Sequence, residues 1–506
     1  MTILDALFPA VPENTPNPNS KLLSSCLEID KEKHIAIVGG GPAGVHMSAC
    51  LAAKGYKVTL LESEQELGGK SLTIYDPLQP AVPQEMGTCY MHPGYTPIRK
   101  LLEEYDKDNL EINFANEKNG RMIFGLTLDD ESKRKYTEGM EYFDWVFEQT
   151  EKRTTPACCR CLPDSLQGIP ILTALTKYVR IHESIFGKYP YGLPPQPKDS
   201  EWSRINMNGL ELLAPIFIYS QQVQGYGILD KIPAFYLLWW IHPDVANGSI
   251  RSMLGSDELL VSMLKNGYQS LWKNMAKRHS DQVNYITGAQ VTAIKRTPSV
   301  EIKYMLGGEE KVLEADMFVS AIDMYRFSHL ITDLDPEEKE VFSKLTESTL
   351  ATTLYKGKTV AHEHTVEFWF ARQGVLTSDG VGQFHAQRNS RMATRPEIPA
   401  VDDTELRVAY QYSEKPPQSG DAAKLSQALM EGLKTFAGEP EVEIRLQKPW
   451  PYFPRFEAQD LVKGCPWKIL EMQGKRNTVF IGSSVCFESV LDVVCYNQLL
   501  ARKICG

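Results

Sequence analysis

The stretch His34-Ile35-Ala36-Ile37-Val38-Gly39-Gly40-Gly41-Pro42-Ala43-Gly44 decides how the chain is read. A short apolar run enters a glycine bend, after which Val45, Ala49, Leu51 and Ala52 recur at helical spacing. The run Tyr56 to Leu61 follows, so strand, turn, helix and strand fall within about 30 residues, as in a βαβ unit. In such a unit Gly39 permits the tight turn, Gly41 lets the backbone approach a pyrophosphate, and Gly44 lets helix and strand pack closely. The helix N-terminus adds N–H groups and a positive dipole end for the phosphates. Glu62 closes the second strand, where its carboxylate can accept hydrogen bonds from ribose hydroxyls. The pattern predicts a dinucleotide site and leaves the dinucleotide open.

Outside this stretch the composition is that of an ordinary globular chain, with 506 residues, 42% hydrophobic and 23% charged. At about 150 residues per folding unit, that length suggests roughly three. Lys and Arg total 54 against 64 Asp and Glu, a net charge of −10 that gives no long-range attraction for phosphate backbones, so no nucleic-acid partner is expected. The longest apolar stretch, Ile232 to Ile241, is too short to span a bilayer, and no transmembrane segment is predicted. Ten cysteines are too sparse for a disulfide scaffold, which fits a reducing, cytoplasmic setting. Residues 1–33, proline-rich and lacking a basic n-region, read as a flexible lead rather than a secretory signal, with docking of Leu4, Leu7 and Phe8 left open.

Helical patterns occupy Met140 to Glu151, Ile169 to Phe186, Leu210 to Gln224 and Pro233 to Ile241, together with many aromatic residues. Residues 256–280 read as one more helix. Val283 to Tyr285, Gln290 to Thr297, Val300 to Leu306 and Lys311 to Ala315 alternate like antiparallel strands, and Met317 to Ile322 reads as a buried strand. Further strands are expected at Leu354 to Val360, Thr365 to Phe370, Glu405 to Tyr412, Val442 to Leu446 and Thr478 to Ile481. Helices are expected at Asp421 to Phe436 and, closing the chain, at Val490 to Ile504.

Leu67-Gly68-Gly69-Lys70 and then Gln84-Glu85-Met86-Gly87 follow the second strand, and this arrangement resembles the second fingerprint of FAD enzymes of the flavin amine-oxidase superfamily. The resemblance implies FAD as cofactor, with Lys70 beside phosphate, and Gly69, Met86 and Gly87 in the cofactor-binding set with Gly87 against the flavin. Val291, after Thr287-Gly288-Ala289-Gln290, is similar to the strand whose backbone contacts adenine. Thr478-Val479-Phe480-Ile481-Gly482 resembles the strand and glycine that bring the ribityl chain to the last helix. Where the family often has an acid after that glycine, this chain has Ser483.

Within the superfamily, Gly225-Tyr226-Gly227, Ile232-Pro233-Ala234-Phe235-Tyr236, Pro451-Tyr452-Phe453-Pro454, Met472 to Thr478 and Cys495-Tyr496 resemble FAD-dependent polyunsaturated fatty acid double-bond isomerases. The resemblance implies an α/β fold with a Rossmann-type FAD domain built from residues 34–100, 253–330 and 465–506. To it are added a helical lid over 101–252 and a mixed-sheet substrate domain over 331–464. It also implies that a hydride leaves a doubly allylic carbon for flavin N5 and returns two carbons away. Such chemistry needs an apolar aromatic slot, for which Tyr226, Tyr236, Trp450, Tyr452 and Phe453 are the expected walls. Arg121 is the nearest counterpart of the family's carboxylate anchor, although it aligns only across a gap, and Gln224 stands where the compared isomerase has an aromatic residue. The expected partner is a small apolar or amphipathic substrate. The run Gly68 to Pro77 also resembles dehydrogenases and cyclising oxidases of secondary metabolism, so net oxidation of a specialised metabolite is the alternative, and a non-enzymatic dinucleotide scaffold a third.

Two clusters read as incidental. Cys158-Cys159-Arg160-Cys161 lacks a second ligand pair for zinc, and His362 with His364 lacks a third ligand, so no metal is expected. No G-x-S-x-G or H-E-x-x-H pattern supports a hydrolase.

Overall fold

A computed structural model describes residues 27–28, 30–113, 121–124, 126–127, 135–136, 139–142, 144–146, 148–149, 164–187, 191–202, 205, 210–243, 245, 261–358, 364–369, 372, 375–439 and 441–505. His34–Val38 is the middle strand of a five-stranded parallel sheet in the order Val283–Ile286, Lys57–Leu61, His34–Val38, Met317–Ser320, Thr478–Phe480. Ile35, Ala36 and Ile37 are fully buried, as the continuous apolar run of a strand covered on both faces requires. The helix Pro42–Ala53 packs on the closing helix Val490–Lys503 and on Gln269–Arg278. Asn497 Nδ2 donates to the carbonyl of Ala43 at 2.8 Å, joining the first helix to the last across the sequence.

The second layer is a seven-stranded sheet in the order Met140–Glu141, Arg121–Phe124, Val366–Trp369, Phe384–Arg388, Thr404–Ser413, Leu345–Lys358, Glu443–Phe456. Only the Arg121–Phe124 and Val366–Trp369 pairing is parallel. The fold is therefore α/β, one parallel sheet and one mixed sheet, as expected. A separate antiparallel sheet joins Gln290–Lys295, Val300–Leu306 and Glu309–Ala315.

Several local readings are corrected by tertiary pairing. Val283–Ile286 alternates like an antiparallel strand but lies parallel beside Lys57–Leu61, at the edge of the five-stranded sheet. Residues 256–280 are not one helix: Ser262–Leu264 pairs antiparallel with Glu111–Asn113, and the helix begins only at Gln269. The stretch 101–252 is not wholly helical, because Arg121–Phe124 and Met140–Glu141 complete the mixed sheet. In the segment read as a flexible lead, Leu27–Glu28 pairs parallel with Ile504–Cys505. Cys158 to Cys161 and His362 lie outside the described residues, while His364 is half-buried. Among the described residues no helix is long and apolar enough to cross a membrane, and no cluster of metal-ligating side chains occurs.

The turn that begins the first helix depends on missing side chains. Gly39 has φ +109°, and a Cβ on Gly44 would lie 1.9 Å from the carbonyl oxygen of Gly39. Backbone would have to move to admit it. Gly44→Ala is expected to destabilise the protein by at least about 2 kcal/mol through this overpacking, read as a drop in thermal or urea midpoint.

Candidate functional site

A cavity of about 330 Å³ runs between the two sheets, from the glycine turn to the aromatic end of Glu443–Phe456. Gly39, Gly41, Glu62, Gly69, Lys70, Gly87, Val291 and Gly482 all line it. Gly44 does not, since it serves helix packing. Met86 lies behind the wall, where its carbonyl accepts from Trp450 Nε1 at 2.6 Å and Thr352 Oγ1 at 2.8 Å.

The turn end has the shape and donors for a dinucleotide. An added Cβ on Gly41 would meet nothing nearer than Gly69 Cα at 3.7 Å, so its open side is free of protein atoms. Gly41 caps the helix without any side chain occupying the N-terminus, and Pro42 gives up an N–H that the helix would not use. Glu62 is held on the turn by Gly40 N–H at 2.5 Å, and its other oxygen accepts from Glu64 N–H at 2.8 Å and Ser63 Oγ at 3.1 Å. A carboxylate has about four acceptor positions, so one remains for a ribose hydroxyl. Ala289 N–H donates to the Glu62 carbonyl at 2.8 Å and sets Gln290 and Val291 beside that acid.

At the other end Lys70 Nζ lies 3.0 Å from Glu488 Oε2 and 3.9 Å from Asp323. Burial lowers the affinity of Lys70 for its proton, but Asp323 and Glu488 outweigh it and the pKa is raised. Burial also raises the Glu488 carboxyl, against the pull of Lys70. Glu488 accepts the backbone N–H of Phe453 at 3.0 Å, at a left-handed residue with φ +51°. Ser483, which replaces the family's acid, reaches Asp323 at 3.4 Å. Sequence reading missed Glu488 and Asp323. Asp323 follows the strand Met317–Ser320 and Glu488 precedes the closing helix Val490–Lys503; neither position marks them for this site, and only the fold brings them to Lys70.

Of the expected aromatic walls, Tyr226, Trp450 and Tyr452 line the cavity. Tyr226 and Tyr452 stack at 5.8 Å between centroids, and the Tyr226 hydroxyl donates to the Glu488 carbonyl at 2.8 Å. Tyr236 and Phe453 do not line it. The Tyr236 oxygen accepts from Phe456 N–H at 2.8 Å and its ring lies parallel to Trp239, while Phe453 packs inward on Tyr226, Tyr236 and Phe487. Phe453 turns inward at its own left-handed backbone, and Tyr236, on the helix Ala234–Trp240, is buried against Trp239 and Phe453. Arg121 opens the strand Arg121–Phe124 opposite Val366, and its side chain lies outside the described residues.

A second, smaller chamber of about 70 Å³ adjoins the first and shares Tyr90, Tyr95, Val223 and Gln224 with it. Its other walls are mainly apolar or aromatic and include Tyr142, Ile216, Tyr219, Trp240 and Val261. The helices Ala214–Gln222 and Ala234–Trp240 supply Ile216, Tyr219, Ser220 and Trp240 to this lining.

A glycine turn free of side chains at a helix N-terminus, an acid beside it and an aromatic far end make a cavity that fits a dinucleotide cofactor. The model of the flavin containing amine oxidoreductases matches residues 42–357, and the chain belongs to that family. FAD is its cofactor, and it is an FAD-dependent isomerase or oxidoreductase. A polyenoic fatty acid isomerase from Ptilota filicina is 22% identical across 95% of this chain and 96% of its own length. Among solved structures, a CLA-producing fatty acid isomerase from P. acnes superposes with a TM-score of 0.68 at 20% identity, covering 94% of this chain and 99% of the other. A putative protoporphyrinogen oxidase from Exiguobacterium sp. 255-15 gives 0.59 at 15% identity, covering 93% and 98%. These two share the fold.

Two outcomes follow from the site. Gly41→Ala is expected to keep the apoprotein's melting temperature within a few degrees while FAD content in the purified protein falls about tenfold, because the methyl group would occupy the diphosphate's approach. Burial pushes the Glu85 carboxyl from 4.5 up to about 7, against hydrogen bonds from Thr73 and the Tyr268 N–H that pull it down. Between those values the folded state holds a proton that the unfolded chain releases, so this group's contribution to stability falls as pH rises from 4.5 to about 7. Glu85→Gln should flatten that slope in urea titrations.

Proposed function

We propose that the protein is an FAD-dependent isomerase that moves a double bond in a polyunsaturated, apolar substrate, with an unsaturated fatty acid as the preferred class. The observation that carries the reading is the apolar chamber walled by Tyr142, Ile216, Tyr219, Trp240 and Val261, which opens beside the larger cavity. A hydrocarbon segment loses water-exposed surface there at about 25 cal/mol per Å². The full-length likeness to a polyenoic fatty acid isomerase supports the same substrate class.

The chemistry supplied by bound FAD is reversible two-electron transfer, in which a hydride leaves a doubly allylic carbon and comes back further along the chain, so no outside reductant is consumed. The protein's residues hold and orient. Gly39, Gly41 and the start of the helix Pro42–Ala53 would take the diphosphate, Glu62 a ribose, Val291 the adenine, and Gly69, Gly87 and Gly482 would let backbone lie close to the flavin end. Lys70 is fixed by Glu488 and presents its charge to the cavity from one place. Trp450, Tyr452 and Tyr226 form a rigid wall that orients the substrate and keeps water from the reacting carbon. Trp450 is held by the Met86 carbonyl, so it cannot swing aside without breaking that bond.

The test is anaerobic incubation of the purified yellow protein with linoleic acid deuterated at the doubly allylic carbon. A conjugated product that retains the label, formed with no lasting loss of flavin absorbance, is expected. Loss of the label with hydrogen peroxide release in air would establish net oxidation instead. Trp450→Ala is expected to reduce turnover by at least about tenfold, since positioning alone can account for several kcal/mol of barrier.

A further inference from the structure

We propose that Tyr410, braced by the buried guanidinium of Arg388, receives the carboxylate head of an amphipathic substrate. The inference rests on the lipid reading above and adds the place where the polar end is recognised.

Arg388 ends the strand Phe384–Arg388 and is fully buried. It donates from one Nη to the Tyr410 oxygen at 2.5 Å and from the other to the Glu85 carbonyl at 2.6 Å, and its Nε has no hydrogen-bond partner among the described residues. The other buried arginines are neutralised at contact distance: Arg296 by Glu338 at 2.6 Å, Arg391 by Glu405 at 2.6 Å, and Arg407 by Glu439 at 3.0 Å. The described residues give Arg388 no carboxylate at that distance. Glu85, the acid whose backbone it touches, turns its carboxyl instead to Thr73 Oγ1 and the Tyr268 N–H. A buried cation with neutral neighbours carries an unmet electrostatic demand, which an anion in an adjoining space would satisfy.

That space is present. Tyr410, Tyr90 and Cys89 line the larger cavity, Tyr90 also lines the apolar chamber, and the Arg388 guanidinium lies 5.8 Å from the Tyr410 ring and 5.9 Å from the Tyr90 ring. Because the Tyr410 oxygen accepts from Arg388, its own O–H is left to donate, and a carboxylate placed there would extend a charge-assisted chain. The other cations on the cavity wall are less suited: Lys70 is already paired with Glu488, and Arg326 is exposed to solvent. A head group at Tyr410 beside the apolar chamber would give one molecule both a polar and an oily contact.

The experiment measures binding of linoleic acid, its methyl ester and linoleyl alcohol to the FAD-loaded protein, read from the perturbation of flavin absorbance. The parent should prefer the acid to both neutral analogues by about tenfold or more. Tyr410→Phe should abolish that preference while leaving affinity for the ester and FAD content unchanged. Equal binding of acid and ester by the parent would overturn the proposal even if the variant could not be made, and so would an undiminished preference in Tyr410→Phe. Either result would leave the lipid reading standing. Failure of all three compounds to bind would overturn both.

Discussion

The approach of one helix to one strand sets everything else in place. At Gly44 the helix Pro42–Ala53 comes so near the carbonyl of Gly39 that no side-chain carbon fits between them. This fixes the helix N-terminus over the end of His34–Val38. The strand Met317–Ser320 runs alongside, so Ala321 comes within contact distance of both glycines, and the closing helix is tied to Ala43 through Asn497. Elements hundreds of residues apart thus share one short region of backbone, and the cavity is what they enclose.

The far wall depends on a different kind of contact. Glu488 holds Lys70 with its carboxylate, the Phe453 N–H with the same group, and the Tyr226 hydroxyl with its carbonyl. One residue therefore links the glycine-rich loop, the mixed sheet and the turn at Tyr226. Its carboxylate is largely buried, so the ion pair is worth keeping only because each partner is satisfied in turn. The Met86 carbonyl makes a parallel join, taking hydrogen bonds from Trp450 and Thr352.

Much of this was legible in the chain because the relevant signals are local. The glycine roles at 39, 41 and 44 follow from spacing, and the acid at 62 follows from its place after an apolar run. Tyr236 and Phe453 could not be sorted from Tyr226 and Tyr452 in the same way, since aromatic residues mark cores and pockets alike. The left-handed backbone at Phe453 and the packing of the helix Ala234–Trp240 around Tyr236 decide between them, and neither has a sequence signature. Val283–Ile286 differs from its sequence pattern for a related reason: alternation describes which face is buried, not the direction of the neighbouring strand. Arg388 and Glu488 gave no local sign at all. Their meaning lies in what surrounds them.

The two chambers are built from different stretches of chain. The glycine turn, Glu62 and Gly482 belong to the parallel sheet and its connections, whereas Ile216, Tyr219 and Trp240 come from the helices Ala214–Gln222 and Ala234–Trp240. Natural variation or laboratory redesign could therefore reshape the oily compartment one helix face at a time without disturbing the grip on the nucleotide. A scaffold divided in this way can diversify its diet while preserving its electron chemistry.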